Sequence, residues 1–418
     1  MVFMKFQTKY RRIKDNFSID DKLFKKVAKL EPTAVANFIP LTWHKAKDFS
    51  VWDEHGNKWI DLTSGIFVAN AGHANPRIKQ AIKKQIDTDL LFAYNYPTEI
   101  KYRFITKLLA LSPKYFNRAI LLNSGSEVMD IAYKLLKLYG QSKNKKYIVT
   151  FKGAYHGRGL SNDLISGNSN KATKWSGVKD GGIYFIDFPY QSSDKFDPAK
   201  LPPADQIAGF VLETFQGWGA WFYPTGFVNE VYAFARKNGA LICFDEMQAG
   251  FYRLGPLYGY MTYGSEIKPD IIALGKGISS SLPMAAVLSR EELVNLDPEA
   301  DLHGTQSANT LCCAASLANI EFLSSAKEIK RRAKTVPIFE QELKKLSASP
   351  LIKQVNVRGM IAALIFHENK EASRVVKSCI ENGVLPVCTN RESIKIAPPL
   401  TITKEAIKEF AAVIKSFL

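Results

Sequence analysis

Six short runs of nearly uninterrupted apolar residues punctuate the middle of this chain: Ala119–Leu122, Tyr147–Phe151, Ala208–Leu212, Ala240–Phe244, Ile271–Leu274 and Ala285–Leu288. None alternates polar with apolar residues, and none is long enough for a helix. Strands buried on both faces of a mainly parallel sheet look like this, and parallel neighbours need helical crossovers between them. The segment therefore reads as the core of a large α/β domain. Beyond about residue 320 the alternation stops, and Lys-rich helices (327–347 and 404–417) flank strands near 353–366 and 393–396. Residues 48–62 read as a hairpin turning at His55-Gly56-Asn57, and a helix is expected after Asn75-Pro76. The expected organisation is a large domain over 71–320 and a smaller α+β domain built from both chain ends, 1–70 and 321–418.

Composition closes several destinations. With 46% hydrophobic residues in 418, the chain can bury a large core and is no disordered or low-complexity protein. No stretch approaches the apolar length of a membrane helix; the richest, 207–229, is broken by Glu213, Pro224 and glycines. The N-terminus lacks the apolar core of a signal peptide. The five cysteines, Cys243, Cys312, Cys313, Cys379 and Cys388, are odd in number and contain no C-x-x-C pair. A zinc ribbon, a secreted disulfide framework and any other metal site are not expected, and a cytoplasmic location is. The net charge of +16 suits anionic partners. It is concentrated at the N-terminus, where the first 30 residues carry nine Lys/Arg against three acids, interleaved with Phe3, Phe6, Phe17 and Phe24. Lacking a zinc-finger or RNA-recognition signature, this stretch reads as an arm docking on a partner surface rather than as a nucleic-acid site.

In an open α/β sheet, ligands bind beyond the carboxyl ends of the strands, so the residues after each run carry the chemistry. Asn123-Ser124-Gly125-Ser126-Glu127 opens a helix, which suits either phosphate binding or plain capping. Gly153-Ala154-Tyr155-His156-Gly157-Arg158 brackets an aromatic, an imidazole and a guanidinium with glycines. Glu213 and Asp245-Glu246 place carboxylates at the ends of all-apolar strands, where they need partners. Lys276 stands between Gly275 and Gly277, and Gly277 occupies the place where a Walker loop needs Ser or Thr. A desolvated lysine there would have a lowered pKa and a nucleophilic amine. A phosphate cradle, a stacking aromatic, a buried carboxylate and a lysine amine together fit one cofactor, pyridoxal 5'-phosphate.

From Val51 to Leu400 the chain resembles the class III, fold-type I pyridoxal-phosphate aminotransferases. The resemblance rests on VWDEHGNKWIDLTSGIFVANAGHANP (51–76), NSGSEVMDIAYKLLK (123–137), GAYHGR (153–158), ETFQG (213–217), DEMQAGFYRLG (245–255), ALGKGISSSLP (273–283), HGTQSANT (303–310) and IAPPLTIT (396–403), all in family order. It implies a ping-pong transfer of an amino group from an amino acid or amine to a carbonyl acceptor. Aminomutases, racemases or epimerases, and decarboxylating transaminases of the same fold are the alternatives. It also implies roles. Lys276 would be the Schiff-base lysine and proton shuttle, Asp245 the partner of the ring nitrogen, and Gln248 the neighbour of the phenolic oxygen. Tyr155 would stack on the ring with His156 in support. Ser124, Gly125 and Ser126 would bind phosphate, completed by Thr305 from the other subunit of a homodimer with shared sites. Glu213 would belong to the cofactor site, and Ile66, Phe67, Arg158 and Lys395 to the substrate. Many relatives carry an Arg where Lys395 stands, and a lysine lacks the bidentate fork for a carboxylate. An ion pair between Glu213 and Lys395 is therefore expected in the substrate-free enzyme.

Overall fold

The computed structural model describes residues 4–19, 22–35, 41–167 and 175–418. Phe3 of the basic arm lies outside the described residues. The chain forms two compact units, Arg77–Ser324 and a second made of Met1–Pro76 with Ser325–Leu418.

The first unit is built on seven strands: β1 (Arg118–Leu122), β2 (Tyr147–Phe151), β3 (Ile183–Ile186), β4 (Ile207–Glu213), β5 (Leu241–Asp245), β6 (Ile271–Leu274) and β7 (Ala285–Ser289), in the order β1-β7-β6-β5-β4-β2-β3. β7 runs antiparallel to both its neighbours, and every other pairing is parallel. Six strands coincide with the apolar runs. The seventh, β3, is an edge strand with Tyr184 exposed, so it lacks the all-apolar signature of its buried neighbours. The helix Gly125–Ser142 covers one face with Val128, Ile131, Ala132, Leu135 and Leu136, the i, i+3, i+4, i+7, i+8 stripe of an amphipathic helix. These pack with Ile148, Val211, Cys243, Ala273 and Val287 from the sheet into one cluster. Each fully buried aliphatic side chain stabilises the fold by about 1.5–3 kcal/mol.

The second unit joins the two chain ends. Lys58–Asp61 pairs antiparallel with Ser50–Trp52 and parallel with Val384–Leu385, so an N-terminal hairpin and a C-terminal strand share one sheet. Trp59, fully buried, donates its indole N–H to the Ile380 carbonyl at 2.7 Å. A four-stranded sheet, Ile352–Arg358, Ile361–Phe366, Ser393–Ile396 and Val387–Cys388, completes it. Part of the N-terminal basic charge is spent locally: Arg11 Nε lies 2.6 Å from Glu409 Oε1, and the Arg11 guanidinium caps the Phe6 ring. The helix Lys22–Ala28 buries none of its residues. Among the described residues no helix is long and apolar enough to cross a membrane.

Asp270, just before β6, is 1% exposed and ties together the amino ends of the strands. It accepts the Ile242 N–H at 2.7 Å, Arg236 Nη1 on both oxygens at 2.8 and 3.1 Å, and Arg290 Nη1 at 2.8 Å. Asp270→Ala leaves these donors without their acceptor and is expected to destabilise the unit by about 3 kcal/mol, the low end for a broken buried pair because both arginines remain partly solvated. A lowered thermal midpoint in calorimetry checks this, with the far-ultraviolet circular dichroism of the wild type retained at low temperature.

Candidate active site

The site is set by strand register. In the parallel pairs, Asp245 of β5 stands opposite Glu213 of β4 on one side and Ala273 of β6 on the other. Both carboxylates therefore emerge at the same carboxyl edge, and Lys276 follows β6 by two residues. A cavity of about 180 Å³ opens there, lined by Ser124, Gly125, Ser126, Tyr155, His156, Gly157, Glu213, Phe215, Asp245, Met247, Gln248 and Lys276. Nine of the residues singled out from the sequence thus meet in one cavity of a single unit. Phe215 and Met247 were missed as lining residues, although both sit inside quoted motifs; an apolar residue within a motif gives no signal of which way it points.

Each charge has a specific partner. Asp245 is 4% exposed; its Oδ2 accepts from His156 Nδ1 at 2.9 Å and its Oδ1 from the Met247 N–H at 3.0 Å. His156 in turn donates its backbone N–H to Ser166 Oγ. The His156 ring thus supports the aspartate rather than Tyr155, the support implied by the resemblance. Burial works against protonating His156, but the Asp245 hydrogen bond and the Glu213 and Asp245 charges outweigh it and hold the pKa above its ordinary value. Glu213 Oε2 accepts the Tyr155 N–H at 3.0 Å and Oε1 accepts the Gly217 N–H at 2.8 Å. Its charge is compensated by backbone amides of its own unit, so its burial does not call for the Lys395 ion pair expected above. Burial raises the Glu213 pKa, with the His156 charge pulling the other way.

Lys276 is held with φ at +45°, a left-handed conformation that strains a residue with a side chain. Burial lowers its pKa below the lysine range, opposed by Asp245 and Glu213 and assisted by Arg158. Arg158 is therefore within electrostatic reach of the amine, although it is exposed and does not line the cavity. Ser124, which also lines the cavity, forms a reciprocal capping box with Glu127 on the helix Gly125–Ser142. Ser126 Oγ accepts the Arg158 N–H at 3.3 Å.

The remaining candidates lie elsewhere. Thr305 is exposed and outside the cavity lining. Ile66, Phe67 and Lys395 belong to the other unit. Ile66 and Phe67 sit in a turn with φ of +63° and +68°; Ile66 is 40% exposed and Phe67 buried. Lys395, itself buried, holds its Nζ 5.3 Å from the centre of the Phe67 ring.

The model of the family described as aminotransferase class-III matches residues 32–418. The chain belongs to the class III aminotransferases. It is 30% identical to the acetylornithine aminotransferase of Methanothermobacter thermautotrophicus, covering 88% of this chain and 91% of that protein. It is 28% identical to the 2-aminoadipate transaminase of Pseudomonas putida, covering 90% and 95%. The ornithine aminotransferase structure from Toxoplasma gondii superposes with a TM-score of 0.82 at 22% identity, over 94% of each chain, which shows a shared fold. Members of class III are pyridoxal-phosphate-dependent transaminases, and so is this enzyme.

The class III cavity fits that cofactor on its own chemistry. Two buried polar atoms within it, His156 Nε2 and Gln248 Oε1, have no hydrogen-bond partner among the described residues. An unpaired buried polar atom is costly, so a ligand group is the natural partner. The cavity also offers a carboxylate for a protonated ring nitrogen, a depressed amine for an aldehyde, and helix N–H groups for a phosphate. Reduction of the loaded enzyme with borohydride is expected to place the cofactor adduct on Lys276 by peptide mass spectrometry, and Lys276→Ala to abolish both adduct and visible absorbance. An adduct on any other lysine would refute the assignment.

Proposed function

We propose that the cavity carries out the whole amino-group exchange, with Lys276 as nucleophile and proton carrier and Asp245 as the anion that faces the ring nitrogen. The observation that carries this reading is the depressed lysine amine facing two buried carboxylates on adjacent parallel strands. When bound, pyridoxal phosphate supplies an aldehyde carbon that takes up the amine and a cationic ring that draws electrons from the substrate's Cα. The chain's own residues do the rest. Lys276 Nζ, whose hold on a proton burial weakens, can accept the Cα proton and return it one atom away. His156 and the Met247 amide donate to Asp245 and fix its direction, and Glu213 stands opposite it on the next strand. Tyr155 and Met247 wall the cavity from water, which strengthens each of these contacts. Gln248, with its amide oxygen unpaired, faces the cofactor's polar rim, and the helix end at Ser124–Ser126 holds the phosphate.

Support for a homodimer comes from a continuous surface of the large unit. The stretch around Leu91, Phe92, Tyr94 and Tyr96 exposes large apolar side chains, Tyr96 to 74%. It is fastened to the Thr305 loop: Tyr94 packs on His303, Asn309 Nδ2 donates to the Leu91 carbonyl, and Thr310 Oγ1 to the Leu90 carbonyl. An exposed apolar patch of this extent marks an interface, and Thr305 within it would complete a partner's phosphate site. Five free cysteines, four of them buried, suit a reducing cytoplasm.

Lys395 is proposed as a contact for the donor's carboxylate, on the strength of its place in the family pattern and its burial. Lys395→Ala is then expected to raise KM for α-amino acids several-fold while sparing amines that lack a carboxylate; equal losses for both would exclude the role.

The decisive experiment is a screen of donors with paired acceptors. One carbonyl acceptor should be consumed per donor, and donor alone should change the visible spectrum of the loaded enzyme once. Turnover that consumes no acceptor would point to an aminomutase or racemase instead. Asp245→Asn is expected to lower kcat on the order of 10²–10³-fold, the scale of losing one preorganised electrostatic contact. Phe92→Glu combined with Tyr96→Glu should convert dimer to monomer in sedimentation.

A further inference from the structure

An aromatic side chain outside the machinery described so far stands beside the cavity wall. The hairpin Phe215–Gln216 and Trp221–Phe222 closes through Gly217-Trp218-Gly219-Ala220. This turn is pressed onto the site. The Gly217 N–H donates to Glu213 Oε1 at 2.8 Å, and the Ala220 N–H to the Gln216 carbonyl at 2.7 Å. A Cβ at Gly217 would lie 2.2 Å from Gln248 Nε2, and one at Gly219 would lie 2.1 Å from Gln216 Oε1. A side chain at either position flanking Trp218 would have to displace the end of a glutamine. Ala220, fully buried, takes φ of +63°. A turn so tightly fixed to Glu213 and Gln248 presents one large side chain at its tip. The Trp218 ring lies near-parallel to the Tyr155 ring, with centres 6.5 Å apart and planes at 21°, and remains 36% exposed.

Tyr155 lines the cavity, so the indole extends its aromatic wall from the cavity outward. Neither phosphate, ring nitrogen nor lysine amine needs anything from Trp218. An indole offers a broad apolar face and a single N–H, and no cation to pair with a carboxylate. We propose that Trp218 is a specificity-determining residue that contacts the tail of the amino donor and selects apolar, alkyl or aryl tails over carboxylate-bearing ones. The proposal rests on the transaminase reading of the same cavity. Contacts with a hydrophobic wall discriminate by about 10–200-fold per methylene-sized group, enough to sort donors that share the same reacting amine.

The test compares the wild-type holoenzyme with Trp218→Ala and Trp218→Phe, using 2-phenylethylamine and 4-aminobutyrate as donors with one acceptor. The wild type should favour the aryl donor in kcat/KM. In Trp218→Ala the ratio of the two donors should fall at least tenfold, mainly through KM of the aryl donor, and Trp218→Phe should recover most of it. Equal losses for both donors, or an unaltered ratio, would overturn the proposal. A variant that changes only the dimer equilibrium in sedimentation would do the same, since Trp218 would then be an interface residue. Should Trp218→Ala fail to hold cofactor, Trp218→Ser and Trp218→Phe, compared by donor-induced change in visible absorbance, decide the question the same way. A wild type that transaminates no donor at all would overturn the functional reading, whereas turnover with one selectivity across all variants removes only Trp218.

Discussion

The register of three adjacent parallel strands is the constraint on which the rest of this enzyme depends. Because β4, β5 and β6 run the same way and pair residue for residue, Glu213, Asp245 and the loop to Lys276 leave the sheet at one edge. A slip of one residue would turn Asp245 to the opposite face, since successive side chains alternate. Asp270 holds the other end of the same strands by binding the Ile242 amide and two arginines. Two buried aspartates thus serve the sheet at opposite ends, one fixing its register and the other its chemistry.

The charges at the carboxyl edge are tolerable only as a group. A lone buried carboxylate or ammonium would shift its pKa until neutral. Here His156 bridges Asp245, backbone amides take both oxygens of Glu213, and Lys276 loses part of its affinity for a proton. Two polar atoms, His156 Nε2 and Gln248 Oε1, are still left over. Within the cavity these two atoms face the space a cofactor would fill. Glu246 shows the contrast: next to Asp245 and equally buried, it spends its oxygens on Thr214 and the Gly259 and Tyr260 amides, and burial raises its pKa to about 7. It fastens the turn at Gly259–Tyr263 and has nothing left for a ligand.

Positive φ at non-glycine residues occurs in both units, and some of it falls beside the cavity. Lys276 and Ala220 sit at positive φ beside the cavity, and Ser64, Ile66 and Phe67 do so in the other unit. Left-handed conformations cost about 1–2 kcal/mol per non-glycine residue. They persist only where surrounding hydrogen bonds over-determine them, as the Ser64 hydroxyl does by donating to the Ala397 carbonyl at 2.6 Å.

The sequence by itself marked six of the seven strands and nine of the twelve residues that line the cavity. Apolar runs marked six strands because strands covered on both faces have no polar side, and residues at their carboxyl ends are the ones a parallel sheet gathers. Ser124, Tyr155, Glu213, Asp245 and Lys276 were legible for that reason. Tertiary structure decided what pattern alone does not carry. The edge strand Ile183–Ile186 escaped because water on one side erases the apolar run. The partner of the His156 ring, the backbone donors that satisfy Glu213, and the stacking of Trp218 on Tyr155 depend on side-chain direction and on segments far apart in the chain. Those are settled by packing, and packing is a property of the folded chain rather than of any local stretch of it.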